Sequence, residues 1–368
     1  MKNSKTKNRI IGIIVILLSI SIFIVLRQFD LTAVKYDTEV KKWDNIYDGD
    51  NICFYYIDNK LSEIKSLNST YEIDSVVNKD SGDLNMTMDL QKWLRGKCGV
   101  DLDVMDSNKN AGDILATLIK NSTLSQKDYN VVMQELLASV GVRTRIGEFF
   151  DKEAYSMLEV WDRELSKWIA FDVISGGYFI ENGVPISSTE LLKSNVKNLK
   201  LVTAADEEIT LGKKEIKKLE ESMGSYTVSI DNSKYEGTLI NSYVTYVKDE
   251  GQIEIETDRG YIKPTIFVKD NKVFNMDPWV NYEDDKSDEI PTIIFAKRNV
   301  ENDEDKIKFA VGAFMNSVMM KEYYIRINGD QFVKIDNYYE LSLEKGENVI
   351  ELSLDGENSV RTVVIRRN

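Results

Sequence analysis

The sequence has no histidine, two cysteines and four prolines among its 368 residues. Without an imidazole, neither a Ser-His nor a Cys-His pair can form, and proton transfer near neutral pH is left to carboxylates with shifted pKa values. Zinc in its usual His and Cys ligand sets is excluded as well. Cys53 and Cys98 fit one disulfide or two thiols, and their number and spacing do not choose between them. Positive charge is also short: 47 Lys and Arg stand against 61 Asp and Glu, a formal net charge of −14. That balance argues against a nucleic-acid partner, because phosphate binding needs a basic face. No glycine-rich phosphate loop follows a strand-like run, and no repeat of solenoid length is present. No cofactor is implied.

One long apolar run stands near the start. Ile10 to Leu26 (IIGIIVILLSISIFIVL) carries no charge. At about 1.5 Å per residue it reaches about 25 Å, the short end of a membrane helix. Lys2, Lys5, Lys7 and Arg9 precede it. The expectation is a cytoplasmic tail at 1–9, a single transmembrane helix at 10–26, and the remainder outside the cell. A cleaved signal peptide is the competing reading, but Arg27, Gln28, Phe29 and Asp30 follow where a small-residue cleavage site would stand. An outside location would permit a Cys53–Cys98 disulfide. The membrane, through residues 10–26, and a membrane protein packed on that helix are the partners this implies.

Residues 27–48 are polar and charged and read as a linker. From 49 to 195 helical and strand-like patterns alternate. The clearest is DYNVVMQELLASVGVRTRIG, in which Tyr129, Val132, Met133, Leu136 and Val140 recur three and four apart and Gly141 follows as a C-cap. Ser125 stands where an N-cap would, before LSQKD ends and the stripe begins. YSMLEVW and KWIAFD then read as strands. Residues 196–223 are lysine-rich, with Leu211, Ile216 and Leu219 as a weak helical stripe, and read as a linking helix. From 224 to 368 the period changes to two, in SYTVSI, TLINSYVTYV, GQIEIET and PTIFVKD, with acidic interruptions at 283–289 and 301–306. Asn328-Gly329 reads as a hairpin turn.

The order LLASVGVRTR (136–145), YSMLEV (155–160), KWIAFD (167–172) resembles the core of the transglutaminase-like, papain-like Cys-His-Asp superfamily. LQKWL (90–94), NAGDIL (110–115) and GGYFIENGVPISSTELL (176–192) extend the likeness. The closing segment, with VIELSLDGENSV, looks like the second half of bacterial Ig-like or cadherin-like sandwiches. The resemblance implies an α+β domain at 49–195, helices packed on an antiparallel sheet, followed by an all-β sandwich-like region at 224–368. It places the family's nucleophile at Gln126, its His at Tyr155 and its acid at Asp172. Only the acid is kept, so the family mechanism is lost: Tyr holds its proton at neutral pH, with a reference pKa of about 10, and Gln is no nucleophile.

A non-catalytic protein of the bacterial cell envelope, binding a peptide or glycan, is therefore expected. Strand alternation puts Tyr155, Met157 and Glu159 on one face, and Glu159, Trp168 and Tyr178 are expected to line a groove. The alternative is a hydrolase using Glu159 and Asp172 as paired carboxylates, with Glu153 and Asp162 nearby. Asp106, Asn108, Asn110 and Gly112 imitate a calcium loop, but the glycine is one place late and Thr117 stands where the closing acid belongs.

Overall fold

The computed structural model describes residues 37–119, 122–234, 240–249, 251, 253–257, 260–279, 288–298 and 307–368. The run Ile10 to Leu26 and the acidic stretches 283–287 and 301–306 lie outside the described residues. Among the described residues no helix is long and apolar enough to cross a membrane. Thr38 to Asn368 form one unit by contact.

Strand β1 (Thr38–Asp44) comes first. Four helices follow: α1 (Ser62–Tyr71), α2 (Asp83–Arg95), α3 (Ala111–Thr117) and α4 (Gln126–Ser139). The chain then lays down β2 (Thr144–Phe150), β3 (Ala154–Asp162), β4 (Lys167–Asp172), β5 (Gly177–Glu181), the short α5 (Ser188–Leu191), β6 (Lys200–Thr203), β7 (Glu208–Thr210), α6 (Lys213–Ser222), β8 (Ser225–Ser229), β9 (Tyr243–Val247) and β10 (Thr265–Val268). These strands make a ten-stranded sheet in the order β7-β6-β5-β4-β3-β2-β8-β9-β10, with Val184–Pro185 paired to β5. Only β9 and β10 run parallel.

The class expected from sequence needs correcting. Over the described residues the protein is mostly β, 39% strand and 23% helix, rather than an α+β domain ahead of a separate sandwich. The sheet does not stop at residue 223. Leu219 of α6 is buried against the sheet, and the chain turns so that Ser225 lies opposite Phe150 in the β8–β2 ladder. Thr227, Thr245 and Thr265 then link β8, β9 and β10 by hydroxyl contacts of 2.8 Å each.

Further strands are β11 (Thr292–Lys297), β12 (Ile307–Met315), β13 (Glu322–Ile327), β14 (Val333–Asp336), β15 (Tyr339–Leu343), β16 (Gly346–Ser353) and β17 (Ser359–Arg367), with the two-residue strand Val318–Met319 paired to β12. A four-stranded sheet centred on β12 faces a five-stranded sheet, β1-β17-β16-β13-β14, across a core that includes Phe309, Tyr323, Ile350 and Val363. So part of the stretch read as a linker, 27–48, is a strand of the sandwich. Its one-residue register shift between Val40 and Lys42 breaks the alternation that would have revealed it.

Two cores flank the large sheet. On one face Leu158, Val160 and Phe171 pack with Tyr129, Val132, Met133 and Leu136 of α4 and with α1 to α3. On the other, Phe149, Tyr155, Met157 and Tyr226 pack with Leu219 and with Ile294 and Phe314 of the four-stranded sheet. Gln126, Tyr155 and Asp172 stand where α4 begins, against the ends of β3 and β4.

Candidate functional site

Helix α4 is specified along its length. The Ser125 hydroxyl accepts from the Asp128 amide at 3.0 Å, an N-cap. Asp128 adds negative charge to the first turn. Its apolar stripe is buried, and Gly141 takes φ +87° just past its end, a conformation that favours glycine.

Gln126 is the first residue of this helix, Tyr155 the second of β3 and Asp172 the last of β4. The structure brings all three together. The Tyr155 hydroxyl donates to Asp172 Oδ1 at 2.8 Å. The Asp172 carboxylate also accepts the backbone N–H groups of Ile174 at 3.1 Å and Ser175 at 3.0 Å. Gln126 Oε1 accepts from the Ser156 N–H at 3.2 Å, beside Tyr155. Its Nε2 is buried without a hydrogen-bond partner, although it stands close enough to the Tyr155 hydroxyl to oppose a small part of that group's pKa rise.

The cluster is closed. Gln126, Tyr155 and Asp172 are 8%, 0% and 1% exposed. Burial first, then the Asp172 charge and hydrogen bond, push the Tyr155 pKa well above its ordinary value. Burial also holds Asp172 above the usual carboxylate range, against the hydrogen bonds from Ser175, Tyr155 and Ile174. The hydroxyl therefore keeps its proton at neutral pH, and the carboxylate's oxygens are already engaged. Neither group is offered to a substrate, and a buried amide supplies no nucleophile.

Glu159 and Trp168 line no groove, which corrects the reading taken from alternation. Glu159 is fully buried and sits directly opposite Arg145 in the β2–β3 ladder, with Arg145 Nε to Glu159 Oε2 at 2.7 Å. The same carboxylate accepts from the Tyr226 hydroxyl and the Ser188 N–H, each at 2.9 Å. Arg145 donates to the Phe274 carbonyl at 2.7 Å and lies 4.2 Å from the Trp168 ring centroid. Trp168 is fully buried, and its indole donates to Met276 O at 2.9 Å. The paired-carboxylate alternative thus has two acids that are both walled in and each already accepting three hydrogen bonds. Tyr178 is half-buried and packs at the edge of the helical core. Asp162 is buried and accepts the Leu165 N–H at 2.8 Å in the turn that follows β3.

No disulfide joins Cys53 and Cys98. Cys98 belongs to the helical core, where burial pushes its thiol up to about 11, while Cys53 lies between Ile52 and Phe54 of the opposite core. In the stretch that imitates a calcium loop, Asn110 serves as the N-cap of α3, accepting the Asp113 amide at 2.8 Å. Among the described residues no three His, Cys, Asp or Glu side chains converge as a metal site.

Sequence reasoning missed two features. One is the Arg145–Glu159 pair. Its signal was a charge in each of two apolar strands, which the hairpin register sets opposite each other. The other is a cleft of about 470 Å³ between α1, α3 and α4, lined by Tyr55, Ile57, Leu67, Tyr71 and Glu135 among others. It draws on three helices and an irregular segment, so no local pattern marks it.

Set beside protein-family models and curated proteins, the chain matches none at a significant level.

Proposed function

We propose that the chain is a non-catalytic binding protein of transglutaminase-like descent, and that its ligand is a peptide or a glycan. One observation carries the reading. The three positions that the resemblance assigns to nucleophile, base and acid meet in one cluster, with the Tyr155 hydroxyl holding Asp172 at 2.8 Å and Gln126 alongside. That geometry suits an acid orienting a neighbour, and the neighbour is a phenol that keeps its proton where the reaction needs an imidazole. Its closure supports a structural use of the cluster, with ligand binding elsewhere on the domain. A place in the bacterial cell envelope belongs to the same proposal and rests on the residues quoted for the resemblance.

The purified chain is expected to show no transamidation, deamidation or peptidase turnover. Turnover that disappears on Asp172→Ala, in a variant whose unfolding midpoint shows it still folded, would overturn the proposal.

A further inference from the structure

The cleft between α1, α3 and α4 has largely apolar walls and two carboxylates in its lining. The Tyr55 ring, half-exposed at 49%, forms one side together with Ile57, and Leu67 and Tyr71 of α1 form part of the rest. Glu135 of α4 reaches into it half-buried, with Oε1 accepting the Ala111 N–H at 3.2 Å. Glu63 also lines the cleft. Burial raises the Glu135 pKa, and Glu63 and Asp113 add to that rise by repulsion. Tyr55 is raised likewise, by burial and then by Glu135, Asp231 and Glu63. Two carboxylates therefore line the cleft, the half-buried Glu135 and the exposed Glu63. Among the described residues no Lys or Arg forms an ion pair with either of them.

A half-buried carboxylate with like charges around it and no cation is an arrangement that a positive ligand would relieve. The apolar walls ask for a stem that covers carbon as well as a charged head. At about 470 Å³ the cleft falls in the roughly 300–1,000 Å³ range of sites for drug-sized ligands. That is more room than an ammonium group alone needs, and it suits one long side chain with its flanking backbone.

We propose that this cleft receives a lysine side chain of a peptide, with the alkyl stem against Tyr55 and Leu67 and the ammonium group at Glu135 and Glu63. The inference rests on the binding-protein reading and names the ligand class for it. The two fail separately. Turnover at the closed cluster would sink the reading whatever the cleft does, and a silent cleft would leave the absence of turnover intact.

The test uses the full chain and a fluorescent pentapeptide, Gly-Ala-Lys-Ala-Gly, followed by anisotropy at low and high salt. Binding is expected to weaken at least about tenfold when the lysine is acetylated, and about tenfold in Glu135→Gln, which keeps the bond to Ala111 while removing the charge. Glu357→Gln, on an exposed loop of the sandwich, should bind like the parent. Equal binding of the acetylated peptide, or no change in Glu135→Gln, would overturn the proposal. So would an equal loss in Glu357→Gln, which would trace the attraction to the net charge of the whole chain. Displacement by n-butylamine at matched concentration would overturn the peptide as occupant.

Discussion

Replacing Tyr155 by Phe removes one oxygen and nothing else from the closed cluster. The ring stays in a fully buried position, so no methylene-sized cavity opens. The lost bond is the one to Asp172 at 2.8 Å, and its acceptor is ionised when the carboxyl is deprotonated. Hydrogen bonds to charged groups contribute about 1.5–3 kcal/mol net. Asp172 keeps its bonds from Ile174 and Ser175, which puts the expected loss near the middle, at about 2 kcal/mol. The pH dependence has a definite sign. Burial raises the folded-state pKa of Asp172, and the Tyr155 bond opposes that rise, so the variant's Asp172 is raised further still. A carboxyl with a raised folded pKa contributes stability that is complete below its unfolded pKa and is lost as pH climbs through the folded one. The variant loses more over that climb, so its deficit is largest above the raised pKa and shrinks on acidification. Urea unfolding over a pH series that spans the titration of Asp172, read at unchanged m, measures both. A deficit below about 0.5 kcal/mol on the alkaline side of that titration, or one that does not shrink on its acidic side, would refute the assignment of this bond to a charged acceptor.

Two further outcomes test the interior. Glu159→Gln leaves the Arg145 guanidinium buried without its anion and should cost about 3–5 kcal/mol in urea unfolding; a cost under about 1 kcal/mol would mean that solvent reaches the pair. Gly147→Ala puts a Cβ 2.1 Å from the Tyr226 hydroxyl, which Glu159 holds in place, so a loss of about 1–3 kcal/mol is expected. A neutral result there would show that Tyr226 is free to swing aside.

What was legible in the sequence was local. The cap at Ser125, the stripe from Tyr129 to Leu136 and the glycine at 141 each follow from rules that act within four residues, and all three are present. The meeting of Gln126, Tyr155 and Asp172 was reachable because the resemblance supplied the pairing of distant segments. Where no such guide existed, the reading stopped at a false boundary. Alternation marks SYTVSI as a strand but says nothing about its neighbour, and its neighbour is β2, reached back across α6. Strand β1 escaped for a related reason: charged Lys41 and Lys42 and the bulge beside them hide Val40 and Trp43, whose partners lie on the last strand of the chain. Glu159 was misjudged because one strand's alternation gives a face and not what covers it. Arg145, Ser188 and Tyr226 come from three other elements.

We propose that positions 126, 155 and 172 keep the arrangement of a Cys-His-Asp site without its thiol and imidazole. The most direct measurement is the ultraviolet absorbance of the new thiolate in Gln126→Cys and in Gln126→Cys/Tyr155→His, with the parent chain subtracted to remove Cys53 and Cys98. In the double variant the thiolate should form well below the ordinary thiol pKa of about 8.5, stabilised by an imidazolium that Asp172 orients, while in the single variant burial should hold it at or above that value. The same thiol pKa in both would mean that the two side chains do not face each other, and the account would be contradicted.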